Sequence, residues 1–306
     1  MTFGFVPIGP WSVIKDPQYV EETEFGVPPA NPQFKLVGNL SNLSISRVNQ
    51  VLDTRYVGPG ARDISSSLQL GLEHTFDITY VPSNLDFMHY GTDLVPICEE
   101  KSITLIEQVM LNCQPKFIMF NGCVCNKIAV KISRSAGMSC VQSFDAKDAV
   151  DYVDTLPAPI TTPQWAPPHD ITKDPWTGIT SGPDPLTFAG EHWPVKEFNF
   201  DVNMNAIKIE TNGTKSFEYA AQGNRDINFS FGTWNKNGFL LDKMTKMAKH
   251  ELEYVIASTT EAVYKARFTN AHLRDYKWAQ ASGANDFTME QWTGRAYNVE
   301  LTETPV

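Results

Sequence analysis

The chain has 306 residues, of which 42% are hydrophobic, and a formal net charge of −10. That length and apolar content allow one large or two ordinary domains with real cores. The acidic balance argues against tight binding to nucleic acid or to an anionic membrane, since phosphate contacts need clustered Lys and Arg.

The first ten residues lack a basic region and are broken by Pro7 and Pro10, so they do not read as a signal peptide. No apolar run approaches membrane-spanning length, and no membrane is expected among the partners. The cysteines Cys98, Cys113, Cys123, Cys125 and Cys140 fit reduced thiols made in a cytoplasm. Residues 1–32 are rich in proline and read as an extended N-terminal arm.

Residues 33–154 read as a first β domain. Leu43 to Val48 alternates, and the chain continues past Val51 to the turn signal Gly58-Pro59-Gly60. The stretch Leu68 to Tyr80 is the clearest element: Leu68, Leu70, Leu72, Phe76, Ile78 and Tyr80 share one parity, Gln69, Glu73, Thr75, Asp77 and Thr79 the other. In a strand those parities are opposite faces, one apolar and one wet. Leu85 to Tyr90 is expected to be a short helix, with Ser83 or Asn84 as its cap, and Ser102 to Leu111 a strand. Asn121-Gly122 between two apolar runs predicts a hairpin turn, and Met138 to Phe144 closes the set.

Residues 155–190 form a proline-rich connector, stiffened by polyproline-like geometry. Trp165, Trp176 and Trp193 near it read as anchors on the domains rather than as a carbohydrate platform. Residues 191–306 read as a second β domain. Phe198 to Ala206 alternates strictly, with Asn199, Asp201, Asn203 and Asn205 on the polar parity. Lys215 to Ala220 and Ile227 to Trp234 are expected strands. Gly238 to Ala248 has helical spacing, with Leu240, Leu241, Met244 and Met247 on one side. Strands at 251–257, 262–268, 272–279 and 293–301 follow.

The second domain repeats the first in element order. Arg62-Asp63-Ile64 matches Arg225-Asp226-Ile227 at a separation of 225 − 62 = 163, and Phe120-Asn-Gly-Cys123 matches Phe268-Thr-Asn-Ala271 at 268 − 120 = 148. No catalytic set accompanies this repeat. The chain has no Gly-rich phosphate loop and no Gly-x-Ser-x-Gly elbow. His250-Glu251 starts a zinc-protease pattern that Tyr254 breaks, and Pro175 stands where a calcium loop after Asp170 needs glycine. No catalytic residue, metal or cofactor is expected, and the chain reads as a non-enzyme.

With its two-faced strand Leu68–Tyr80, the segment Phe117 to Lys131, and a second copy over Phe198–Ala206, Gly238–Ala248 and Tyr264–Ala279, the chain resembles a tail tube protein of tailed bacterial or archaeal viruses, in a duplicated form. The resemblance implies a mainly β fold with short helices, as two tandem tail-tube-like β-sandwich or barrel domains whose sheets complete a ring-shaped barrel on oligomerisation. It implies stacked rings of the chain itself, trimeric and pseudo-hexameric, located in the virion tail after synthesis in the host cytoplasm. Viral DNA would pass through the lumen without specific binding, and tape measure, tip or baseplate, and terminator proteins would be neighbours.

On that reading Gln69, Glu73, Thr75, Asp77, Thr79, Asn199, Asp201, Asn203 and Asn205 line the lumen. The two strand faces that carry them hold no Lys or Arg to grip phosphate. Loops with Tyr56, Arg62, Asp63, Lys215, Arg225 and Asp226 reach a neighbouring ring or subunit. Arg62–Asp63 and Arg225–Asp226 either bridge subunits or fix their own loops. Rival readings are another ring component of the tail, a terminator or hub, and a carbohydrate-binding β module.

Overall fold

The computed structural model describes residues 12–55, 64–94, 101–111, 113–133, 137–168, 184–210, 216–234, 238–258, 261–279 and 289–306. The first half contains β1 (Ser12–Glu21), β2 (Lys35–Leu36), β3 (Gly38–Arg55), β4 (Ile64–Pro82), α1 (Asp86–Thr92), β5 (Ile103–Leu111), β6 (Gln114–Ser133), β7 (Gly137–Ala146) and β8 (Asp148–Val153). The second contains β9 (Leu186–Phe188), β10 (Glu191–Trp193), β11 (Val195–Asn203), β12 (Ile207–Ile209), β13 (Tyr219–Ala221), β14 (Asp226–Trp234), α2 (Phe239–Thr245), β15 (His250–Ser258), β16 (Ala262–Ala279), β17 (Met289–Ala296) and β18 (Asn298–Pro305). The fold is mainly β and antiparallel, and among the described residues no sheet closes into a barrel.

Alternation places β4 as the sequence predicts. Phe76, Ile78 and Tyr80 are buried, while Thr75, Asp77 and Thr79 stay at least partly open. The apolar face meets α1: the Tyr80 ring lies 5.4 Å from Phe87, edge-on, and Phe76 stacks on Phe144 at 5.1 Å. α1 is too short to persist on its own, and packing of Phe87 and Met88 holds it. The amide of Asp86 donates to Asn84 Oδ1 at 3.0 Å, so Asn84 supplies the turn before the helix. The Tyr80 hydroxyl, deep in this core, donates to Gln142 Oε1, which gives a buried polar group its partner.

Each half has the same two layers. In the first, β3, β4, β7 and the last part of β6 form one sheet; β2, β1, β5, the first part of β6 and β8 form the other. In the second, β11, β14, β17 and the last part of β16 match the former; β10, β9, β15, the first part of β16 and β18 match the latter. β6 and β16 each serve both layers, so the hydrogen-bonded network joins sixteen strands. The core repeats as well: Phe76 lies 4.7 Å from Phe120, and the matching pair Phe229 and Phe268 lies at 5.9 Å.

Several expectations are corrected. Asn121-Gly122 is not a hairpin turn. It is a corner in the single strand β6, where Gly122 has φ +61°. A Cβ there would sit 2.7 Å from Lys147 Cβ, so the position requires glycine for conformation and for space. Its counterpart Asn270 has φ +53° in the equally continuous β16, which unites two expected strands. The expected strand at 293–301 is instead split between β17 and β18.

The separation of 148 holds across this corner, but the Arg-Asp-Ile match does not. β4 begins at Ile64 and runs longer than β14, and the ladders equate Thr75 with Asn228, a separation of 228 − 75 = 153. Arg62, Asp63 and Tyr56 lie outside the described residues.

The N-terminal segment is more than an arm. β1 pairs with β5, and Tyr19 is buried against Phe87 with ring centres 4.8 Å apart. The described part of the connector lies along it: the Ala166 amide donates to Gln18 Oε1 at 3.0 Å, and Trp165 stacks on Phe34 at 5.0 Å. Trp193 is buried in β10, while Trp176 lies outside the described residues. α2 stops at Thr245, short of the expected Ala248; within it only Leu240 is fully buried and Leu241 is exposed, and Met247 lies past its end at φ +48°, also exposed.

Candidate assembly surface

The two halves are not separate bodies. β11 pairs antiparallel with the last part of β6, from Glu197 opposite Ser133 to Asn203 opposite Lys127. This pairing fuses the two four-stranded sheets into one wall, in the order β3, β4, β7, β6, β11, β14, β17, β16. Among the described residues β3 pairs only with β4, and residues 272–279 of β16 pair only with β17. The wall therefore has two open edges, one at each end. An open edge offers rows of unpaired N–H and C=O groups.

One face of the wall packs on the core. The other carries Thr75, Asp77 and Thr79 from β4 and Asn199, Asp201 and Asn203 from β11. These expected residues thus share a face across both halves, because residues opposed in a ladder project to the same side. Glu73 is on the same face, opposite Val48. The backbone of Gln69 pairs with Val51, beyond a register shift, and its side chain lies outside the described ones. Asn205 is past the end of β11, at φ +46°. Its side-chain amide donates to the Asn224 carbonyl and to Asp226 Oδ2, so it fixes the loop at the rim instead of continuing the face.

The face also carries cations that β4 and β11 alone do not reveal. Lys127 opposes Asn203 and Lys131 opposes Asn199. Arg295 opposes Asn228, and Lys277 opposes Gln291. The face is thus mixed in charge, not free of Lys and Arg. Of these cations Arg295 is held in a lateral network: its Nε donates to Asn228 Oδ1 at 3.1 Å, and Asn228 donates to Asp201 Oδ2 at 3.1 Å, while Gln291 donates to Glu197 Oε1 at 3.0 Å. Arg295, so engaged, offers phosphate less than a free cation would, while Lys127, Lys131 and Lys277 are exposed.

Arg225 is used inside the chain. Its half-buried guanidinium donates to the Thr92 carbonyl, at the end of α1, and to Asn298 Oδ1 in β18. It ties the first half to the second. Asp226 starts β14, 3.8 Å from Arg295. Lys215 lies outside the described residues. The thiols of Cys123, Cys125 and Cys140 are buried among apolar groups, which pushes their pKa values up and leaves them unreactive.

No family model matches the chain, and no curated protein matches it. A solved structure, Hcp1 from Flavobacterium johnsoniae, is similar to part of it. That similarity covers 40% of this chain and 97% of the other, at 15% identity and a TM-score of 0.29.

Proposed function

We propose that the chain is a structural protein whose copies join edge to edge into rings and stack into a tube, the tail tube of a virus. One observation carries the reading: the chain already contains a finished sheet-to-sheet junction, β6 with β11, and leaves the two matching edges open. An edge pair that is related by an internal repeat joins head to tail, and such contacts close into rings or run on as filaments. Three copies make a threefold, pseudo-sixfold ring. The wall's polar face lines the lumen, where Glu73, Thr75, Asp77, Thr79, Asn199, Asp201 and Asn203 meet DNA without gripping it. The role needs no catalytic chemistry, and it places the protein in the virion, next to tape measure, tip and terminator proteins.

Negative-stain microscopy of the purified chain tests this reading. Rings or tubes are the expected result, with long open tubes separating a tube protein from a terminator. A chain that stays monomeric at high concentration overturns it.

A further inference from the structure

We infer that the junction between copies is an antiparallel pairing of β3 with residues 275–279 of the next copy's β16, in a single register that sets Ile45 against Trp278. The inference rests on the ring-forming reading above and adds the partner strands, the register and the side chains.

The internal junction supplies that register. β6 maps onto β16 by adding 273 − 125 = 148, and the register shift between Cys125 and Lys127 then falls on that between Leu273 and Asp275. β11 maps onto β3 by subtracting 195 − 40 = 155, and the shift between Val195 and Glu197 falls on that between Leu40 and Asn42. Two bulges that land on their counterparts leave no freedom to slide the alignment, because a one-residue slip would exchange the faces.

Within the chain Phe200 opposes Val130, Asp201 opposes Ala129, Val202 opposes Ile128 and Asn203 opposes Lys127. Carried to the open edges, Ile45 opposes Trp278, Ser46 opposes Lys277, Arg47 opposes Tyr276 and Val48 opposes Asp275.

The surface agrees with that transfer. At the internal junction Phe200 and Val130 are 2% and 1% exposed. At the matching places on the open edges Ile45 and Trp278 are 38% and 55% exposed. Large apolar side chains left in water at both edges, at positions the repeat sets opposite each other, mark a surface that a second copy of this chain covers. Arg47 keeps its partner Asp151, so its charge enters the junction already paired.

Cysteine cross-linking tests the register. The double variant S46C/K277C, on a background in which Cys98 and Cys113 are Ser, places two thiols directly opposite, about 5 Å apart between Cβ atoms, within reach of a disulfide. The expected result under mild oxidation is a covalent ladder that ends at the copy number of the ring. The control S44C/D275C is four residues out of register, roughly 13 Å apart, and is expected to stay uncross-linked. Rings that cross-link in the control, or in neither variant, overturn the register and leave the assembly reading standing. Monomers alone overturn both. Independently, Ile45→Asp is expected to abolish rings and leave the circular dichroism of the monomer unchanged. Rings formed by this variant at the wild-type concentration would overturn the junction.

Discussion

Trp278→Ala separates the stability of the chain from the strength of its association. A Trp side chain carries about 200 Å² of surface, and Trp278 is 55% exposed, so roughly 110 Å² remains to be covered by a neighbour. At about 25 cal/mol per Å² this is worth ~2.5–3 kcal/mol per junction, a change of roughly 100-fold in its dissociation constant. The part already buried in the monomer is worth ~2 kcal/mol by the same coefficient. Chemical denaturation of the dilute monomer is expected to show the smaller loss. Mass photometry over a concentration series is expected to show rings appearing at roughly 1000-fold higher concentration, because a closed three-copy ring loses three junctions over two association steps. A variant that loses monomer stability and keeps the wild-type assembly threshold refutes the placement of Trp278 at the junction. Phe200→Ala, at the buried internal junction, is the contrast: it is expected to cost ~3–5 kcal/mol in the monomer itself.

Gly122→Val puts a β-branched residue at φ +61° and a Cβ 2.7 Å from Lys147 Cβ. Strain and overpacking together are expected to cost about 2–4 kcal/mol in denaturant unfolding, and a loss below the error of the measurement would contradict the corner geometry. Glu107 is buried in β5, and that burial, with Asp16 nearby, pushes its pKa up to about 7. The folded chain therefore binds the proton more tightly than the unfolded one, so stability falls as pH rises from about 4.5 to 7. Glu107→Gln is expected to flatten that fall and to raise the unfolding midpoint at pH 8, and an unchanged pH profile counts against the burial of its charge. Arg225→Ala removes two charge-assisted hydrogen bonds, one to Thr92 across the halves and one to Asn298 within the second, at an expected cost of roughly 1.5–3 kcal/mol in monomer unfolding. If tube yield fell while monomer stability held, Arg225 would instead act between copies.

The wall strands were legible because each of their faces has one solvent. Alternation in β4 and β11 is written in Phe76, Ile78 and Tyr80 against Thr75, Asp77 and Thr79, and in Phe198, Phe200 and Val202 against Asn199, Asp201 and Asn203. The cations were missed because a strand shows only its own residues. Lys127, Lys131, Arg295 and Lys277 reach the same face from neighbours that only the pairing order reveals.

Asn121-Gly122 misled because a residue that takes positive φ serves a corner as well as a turn. β1 was hidden by Pro17, which coincides with a register shift between Lys15 and Gln18, and by the polar Gln18, buried through its bonds to the connector. Proline is tolerated in a strand at such irregularities. Ile64 and Asp226 of the two Arg-Asp-Ile tripeptides open the matching strands β4 and β14, but β4 is longer, so the tripeptides are out of register with the ladders. Ladder register located the true correspondence, since a bulge is fixed by geometry and a loop tripeptide is not.

The β6–β11 pairing has a kinetic consequence. In a closed ring, junctions of that kind alternate with those between copies, so every second seam is sewn at synthesis and stays sewn while the chain is folded. Only the remaining seams respond to dilution. The loss of translational and rotational freedom on association, ~4–15 kcal/mol per event, then falls on fewer than half as many encounters as single-domain subunits would need for the same circumference. A duplicated subunit therefore starts rings at lower concentration, and with a shorter lag, than two unlinked halves would.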